Sequence, residues 1–243
     1  MTVKRAGDEG TKKKAHGEEP APAPAPSKRE RVLHEAERLF ALDGFHGVSM
    51  RDIAQAADVK LALIVYHFET KEKLYRAVFE HRKHLFDERL QLLRLVTDHA
   101  APDALERIVH AFVEPILRSH MSDTGKSYAQ LVVREASDPR EETRGIIGAY
   151  FDPFAKEFIT ALQKALPDES LDYIRWAYLF AVGALVMSVF DSRMTRISDG
   201  ATRPSDLQHK TSYLCNFIAG GMRGGRDTSS GADSRAGGRP AGR

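Results

Sequence analysis

The chain has 243 residues, 36 Lys and Arg against 34 Asp and Glu for a formal net charge of +2, 42% apolar residues and a single cysteine. This length supports a small head and one larger helical unit, and one cysteine excludes an intrachain disulfide. The near-balance of charge excludes a uniformly basic nucleic-acid-binding surface, so any DNA contact must be local.

The charge is unevenly spread. Residues 1–29 hold seven basic and four acidic side chains, residues 221–243 five and two, and the stretch between them is net acidic. Residues 1–27 contain Lys12-Lys13-Lys14 and an alternating Ala-Pro run at 21–26. That run favours extended polyproline backbone and predicts a disordered basic arm. The arm has charges but no apolar h-region, so it does not read as a signal peptide.

Residues 28–45 carry Val32, Leu33, Ala36, Leu39 and Phe40 at helical spacing and stop at Asp43-Gly44, a C-terminal signal. Residues 49–68, SMRDIAQAADVKLALIVYHF, read as two short helices, Met50 to Ala57 and Lys60 to Tyr66. Ser49 is placed to cap the first, with Asp52 three residues on completing a capping box. Ile53, Ala54 and Ala57 share one face, and Val59, Ile64 and Phe68 can meet it. Asp58 stands where the turn calls for a left-handed residue. Thr70 is the expected cap of the next helix. Three helices with this turn predict a DNA-binding helix-turn-helix, its second short helix entering the major groove. The competing readings are an ordinary helical hairpin, an enzyme built on a helical body, and an adaptor that binds only protein.

From Lys71 onward the spacing predicts helices over about 71–96, 103–120, 125–136, 140–165, 170–194 and 204–222, giving an all-α chain. Pro102, Pro139 and Pro204 fall near helix starts, whereas Pro115 and Pro153 fall inside helical pattern and predict kinks. The run Trp176–Phe190 is apolar all round but shorter than the ~20 residues that span a bilayer. A partner subunit is the expected cover, through Leu179, Gly183, Leu185 and Val186 together with Leu214, Phe217 and Ile218. No P-loop, dinucleotide glycine motif, CxxC or HExxH is present, so no cofactor and no metal is expected. Cys215 lies in an apolar helix and reads as packing. The body's aromatic residues predict a ligand pocket between helices, with candidates Phe112, Tyr128, Arg134, Phe151, Phe154, Trp176 and Tyr178.

The stretches ERVLHEAERLFALDGFHGVSMRDIAQAADV and YHFETKEKLYRAVF, within residues 28–80, resemble the TetR family of bacterial one-component transcriptional regulators. The body resembles the branch containing fatty-acid-responsive members, through IAGGMRG at 218–224 and the apolar helix near 171–192. The resemblance implies a ligand-responsive repressor with no enzymatic activity. It would act as a homodimer on a pseudo-palindromic double-stranded operator, in the cytoplasm at the nucleoid and without membrane attachment. Its effector would be an apolar or amphipathic small molecule. Carried onto this sequence, Arg51, Lys60, Leu61, Ala62 and Leu63 would face bases, and Ser49, Tyr66, His67 and Lys71 would hold phosphates. Asp58, Lys60 and Val65 depart from the usual Gly, cap residue and Tyr. The implied division is an arm (1–27), a helix-turn-helix head with three helices (28–75), an effector-binding and dimerisation body (76–222) and a disordered tail (223–243). The helix from Lys71 to about Val96 would be the lever between head and body.

Overall fold

The computed structural model describes residues 26–189, 192–202 and 206–224. The expected arm up to residue 25, Pro204 and the tail beyond residue 224 lie outside the described residues. Within them the chain is all-α.

α1 (Lys28–Gly47) begins at a full capping box: the Ser27 hydroxyl accepts from the Glu30 N–H at 3.2 Å, and the Glu30 carboxylate accepts from the Ser27 N–H at 2.8 Å. It kinks at Gly44, whose φ of 75° suits glycine, matching the stop read from Asp43-Gly44. α2 (Met50–Ala56), α3 (Leu61–Phe68) and α4 (Lys71–His81) follow. Phe40, Ile53, Ile64, Leu74 and Phe79 are fully buried among them. Each contributes roughly 1.5–3 kcal/mol by leaving water.

The body contains α5 (Lys83–Arg94), α6 (Ala104–Ser119), α7 (Asp123–Ala136), α8 (Glu141–Arg144), a π-helical turn (Ile147–Phe151), α9 (Asp152–Ala165), α10 (Leu171–Ser188), α11 (Ser192–Ile197) and α12 (Leu207–Gly224). α6 packs against α5, α9 and α12, and α10 packs against α9 and α12. Cys215 is buried there, and burial pushes its thiol up to about 11. Gly125 turns the α6–α7 corner, where a Cβ would stand 2.0 Å from the Ser119 carbonyl oxygen.

Three expected helices are broken. The one over 71–96 breaks at Arg82 (φ −91°, ψ 2°), because the Arg82 side chain is drawn toward α1. The one over 140–165 is interrupted by left-handed Gly145 (φ 61°) and the π-helical turn, which leave Pro153 in the first turn of α9, where its missing N–H costs little. The one over 170–194 ends at Ser188. Pro115, by contrast, is carried inside continuous α6.

The expected boundary at 75/76 does not separate two cores. One apolar cluster runs from Val32 through Phe79 to Leu85, Tyr128, Leu131 and Ile146, so α7 completes the core of the head. A second cluster, from Phe86 to Met222, is the core of the distal body.

Candidate nucleic-acid interface and its attachment to the body

The Ser49 hydroxyl accepts from the Asp52 N–H at 3.2 Å, and the Asp52 carboxylate accepts from the Ser49 N–H at 2.8 Å. These bonds hold the Asp52 carboxyl below its ordinary range. α2 ends at Ala57, and Asp58 adopts φ 51°, the left-handed conformation its place in the turn requires. The turn closes through backbone alone: the Asp58 N–H donates to the Gln55 carbonyl (3.2 Å) and the Val59 N–H to the Ala54 carbonyl (3.0 Å). Lys60 begins α3 with no side-chain cap.

Ile64 and Phe68 anchor α3 in the head core. Helical spacing then turns Ala62, Val65, Tyr66 and His67 outward, with Lys60 exposed at the entering end and Tyr66 81% exposed. Leu61 and Leu63 are half-buried, and Leu61 packs on the head core, so these two present less surface than the resemblance implied. Arg51 is exposed on α2. Lys71 is half-buried: its Nζ donates to the Val48 carbonyl at 3.0 Å and lies 4.5 Å from the centre of the Phe45 ring. Lys71 thus pins the start of α4 to the residue before Ser49, which brings its charge to the mouth of α2. Thr70 caps α4, its hydroxyl accepting from the Lys73 N–H at 3.2 Å. The Lys71–Val48 bond brings the capped starts of α2 and α4 together, and helix starts favour negative groups such as phosphate.

Sequence reasoning counts Arg29 with the basic N-terminal residues and gives it no role. Its guanidinium lies 5.4 Å from the centre of the Phe68 ring at the end of α3, so a further cation stands beside the recognition helix. The only available signal was the Lys28-Arg29 pair at the helix start.

The head is bound to the body by α7 and by buried charges. Glu37 on α1, 2% exposed, receives Arg82 in a fork of 2.6 and 2.7 Å, and Arg82 also donates to the Thr124 carbonyl at 3.1 Å. On the far side the Tyr75 hydroxyl donates to Glu135 at 2.7 Å, and Arg144 joins Glu135 at 2.8 Å to Asp138 at 2.9 Å. Burial and the Glu135 carboxylate push the Tyr75 hydroxyl far above its ordinary range. Arg134 donates to the Ala41 and Leu42 carbonyls at 3.1 and 2.7 Å. It therefore holds the end of α1, and the expectation that it orients a ligand is corrected.

The other pocket candidates fall in three places. Phe112, Phe154 and Tyr178 come together in the distal core, with Phe151 at their edge 5.0 Å from Phe86. Tyr128 lies in the head-side core, 6.1 Å from Phe79, its hydroxyl buried with no hydrogen bond among the described residues. Trp176 does not join them: it is half exposed on the outside of α10, against Phe180. Between α6, α9, α10 and α12 lies a cavity of about 10 Å³ lined by Phe112, Phe158 and Tyr178 among others. An open groove of about 230 Å³ runs along α10 and α12.

α10 has two apolar stripes. Ile174, Ala177, Ala181 and Leu185 are seated in the core, while Trp176, Leu179, Phe180 and Met187 are exposed. By length and composition the helix could cross a membrane, yet its inner stripe is already committed to protein. Leu179, Gly183 and Phe217 lie on the exposed face, and Val186 and Leu214 at its border. Leu185 and Ile218 are 5% exposed and belong to the core of the single chain, which corrects their assignment to the face that a partner would cover.

Residues 32–78 match the family described as bacterial regulatory proteins, tetR family, and residues 110–221 match the tetracyclin repressor-like C-terminal domain. The chain belongs to the TetR family. It is a DNA-binding transcriptional regulator and not an enzyme. Over 145 residues it is 25% identical to IcaR of Staphylococcus epidermidis, the HTH-type negative transcriptional regulator of the biofilm operon icaADBC, covering 60% of this chain and 68% of that protein. Among solved structures the fold is similar to the fatty acid degradation regulator FadR from Bacillus halodurans (TM-score 0.56, 18% identity, 83% of this chain and 99% of the other). It is likewise similar to the TetR family regulator PfmR from Thermus thermophilus (TM-score 0.53, 18% identity, 81% and 100%).

Proposed function

We propose that this TetR-family chain is a repressor that binds a pseudo-palindromic operator as a homodimer and releases it when an apolar or amphipathic small molecule enters the body. The observation that carries the reading is the outer face of α3, where Ala62, Tyr66 and His67 stand exposed, with Lys60 exposed at its entering end. Repression follows the similarity to IcaR, a negative regulator by name. Dimerisation is supported by the exposed apolar stripe of α10 and by Tyr213 and Phe217 of α12, which are 69% and 72% exposed. Two chains joined there would set their heads about a two-fold axis, as a pseudo-palindrome requires. The site of action would then be the cytoplasmic DNA itself.

In this reading Arg51, Lys60 and Ala62 face base edges, with Leu61 and Leu63 offering partial apolar contact, while Ser49, Tyr66, His67, Lys71 and Arg29 hold backbone. Selection of duplexes from a random pool should return inverted half-sites, bound by two chains in sedimentation. On the selected duplex Arg51→Ala should relax preference at one step per half-site. Tyr66→Phe should weaken specific and random duplexes alike. Half-sites without inversion, or one chain per selected duplex, would sink the dimeric reading.

A further inference from the structure

Arg89 of α5 is 6% exposed and sits inside an aromatic box, its guanidinium carbon 4.2 Å from the centre of the Phe154 ring, 4.4 Å from Phe112 and 5.8 Å from Phe158. Among the described residues it makes no hydrogen bond and no ion pair, and its Nε is fully buried without a partner. Burying an ion costs several kcal/mol unless a counter-charge and hydrogen bonds offset it. Stacking on rings recovers about 2 kcal/mol at most and engages only the faces of the guanidinium. Its in-plane Nε–H still lacks an acceptor among the described residues. The partly buried arginines Arg82 and Arg144 are ion-paired instead: Arg82 with Glu37, and Arg144 with Glu135 and Asp138.

The surroundings of Arg89 offer donors rather than negative charge. The titratable groups acting on it are the hydroxyls of Tyr178 and Tyr128, and burial pushes Tyr178 up to about 12, so it stays neutral. Burial lowers the arginine itself to about 10, which leaves it charged at neutral pH. Beside the box lies the 10 Å³ cavity, which shares Phe112 and Phe158 with it and Ala181, Ile218 and Met222 with the 230 Å³ groove along α10 and α12. The cavity has room for about one water. Displacement of the flexible Met222 side chain would join cavity and groove into one apolar channel that ends against Phe112 and Phe158, two of the rings stacked on Arg89.

We infer that Arg89 receives the carboxylate of an amphipathic small molecule whose apolar part occupies the channel between α6, α9, α10 and α12. This rests on the proposed reading that the body binds an effector and narrows its class to acids. The carboxylate would take the in-plane N–H groups of Arg89 in a fork, with the Tyr178 hydroxyl as a further donor. The ligand enlarges a cavity that is nearly closed in its absence, as a minor conformer made dominant by binding.

The test uses the full-length protein and two probe acids, octanoate and 2-naphthoate, against their methyl esters and octylamine, by titration calorimetry and thermal shift. The acids should bind roughly tenfold or more tightly than the esters, and the amine should not bind. In Arg89→Met the acid preference should vanish while ester binding survives. Arg89→Lys, which keeps the charge and loses the fork, should show an intermediate preference and serves if the methionine variant does not fold. Equal binding of acids and esters to the wild type, or a preference that persists in Arg89→Met, overturns the role of Arg89 and leaves an apolar effector standing. Failure of every probe to bind overturns both. An acid that binds through Arg89 without releasing DNA supports this inference and counts against the switch.

Discussion

The seam between head and body and the core of the distal body treat buried charge in opposite ways. At the seam Glu37, Arg82, Tyr75, Glu135 and Arg144 form pairs and forks at 2.6–3.1 Å. In the distal core Arg89 has rings around it and no acceptor. The first pattern fixes two bodies in register, because a charge that loses its partner there is stranded. The second leaves a demand that something outside the chain can meet. A ligand that satisfied Arg89 would also act on α5, whose N-cap is Arg82, the residue gripped by Glu37 of the head. If a ligand at Arg89 moves α5, the nearest contact with the head is Arg82 on Glu37 of α1, two turns away.

The largest expected effect is at the seam. Glu37→Ala strands Arg82 and should cost about 3–5 kcal/mol of unfolding free energy. Glu37→Met combined with Arg82→Met should recover most of that, because both charges leave together. Urea unfolding of the two variants and the wild type measures this. A single variant as stable as the wild type would show that the seam is not held by this pair.

A smaller effect separates attachment from folding. Arg134→Ala removes two hydrogen bonds to the last carbonyls of α1 before its kink and should cost about 1–2 kcal/mol. The apolar contact of α7 with α1 remains. Hydrogen exchange should rise at the end of α1 and along α7 and stay unchanged in α9 and α10. Uniform loss of protection would mean that Arg134 supports the whole molecule, and the distinction between seam and core would fail.

Much of the head is legible along the chain because its signals are local. Ser49 caps across three residues, Asp58 turns by itself, and Thr70 caps the next start, so each needs only its neighbours. The break at Arg82 is not legible in that way. The buried phase Leu74, Val78, Arg82, Leu85, Arg89 runs through it at helical spacing, which is why residues 71–96 read as one helix. The cause is Glu37, 45 residues away. Arg134 read as a ligand group for the same reason: its acceptors are carbonyls more than 90 residues distant. Leu185 and Leu179 are equally apolar, and only the position of α12 and α9 decides which of them is buried in the chain's own core. Two arginines seven residues apart, Arg82 and Arg89, stand at core positions of an amphipathic helix, and each proves to be the charged residue on which its region turns.

The smallest expected effect bears hardest on the comparison. If Arg89 were retained for stability, Arg89→Met would be clearly destabilising. If it is an unpaired cation held for a ligand, methionine removes a desolvation cost and fills much of the same volume against Phe112 and Phe154. The loss of cation–π attraction, about 2 kcal/mol at most, acts in the opposite direction. Because the desolvation cost is the larger of the two, ligand-free Arg89→Met should unfold in urea at the same concentration as the wild type or later. The same substitution at Arg82, in contrast, strands Glu37 and should behave like Glu37→Ala. Equal and large losses at both arginines would show that the distal core depends on its charge as the seam does, and the difference between the two regions would disappear.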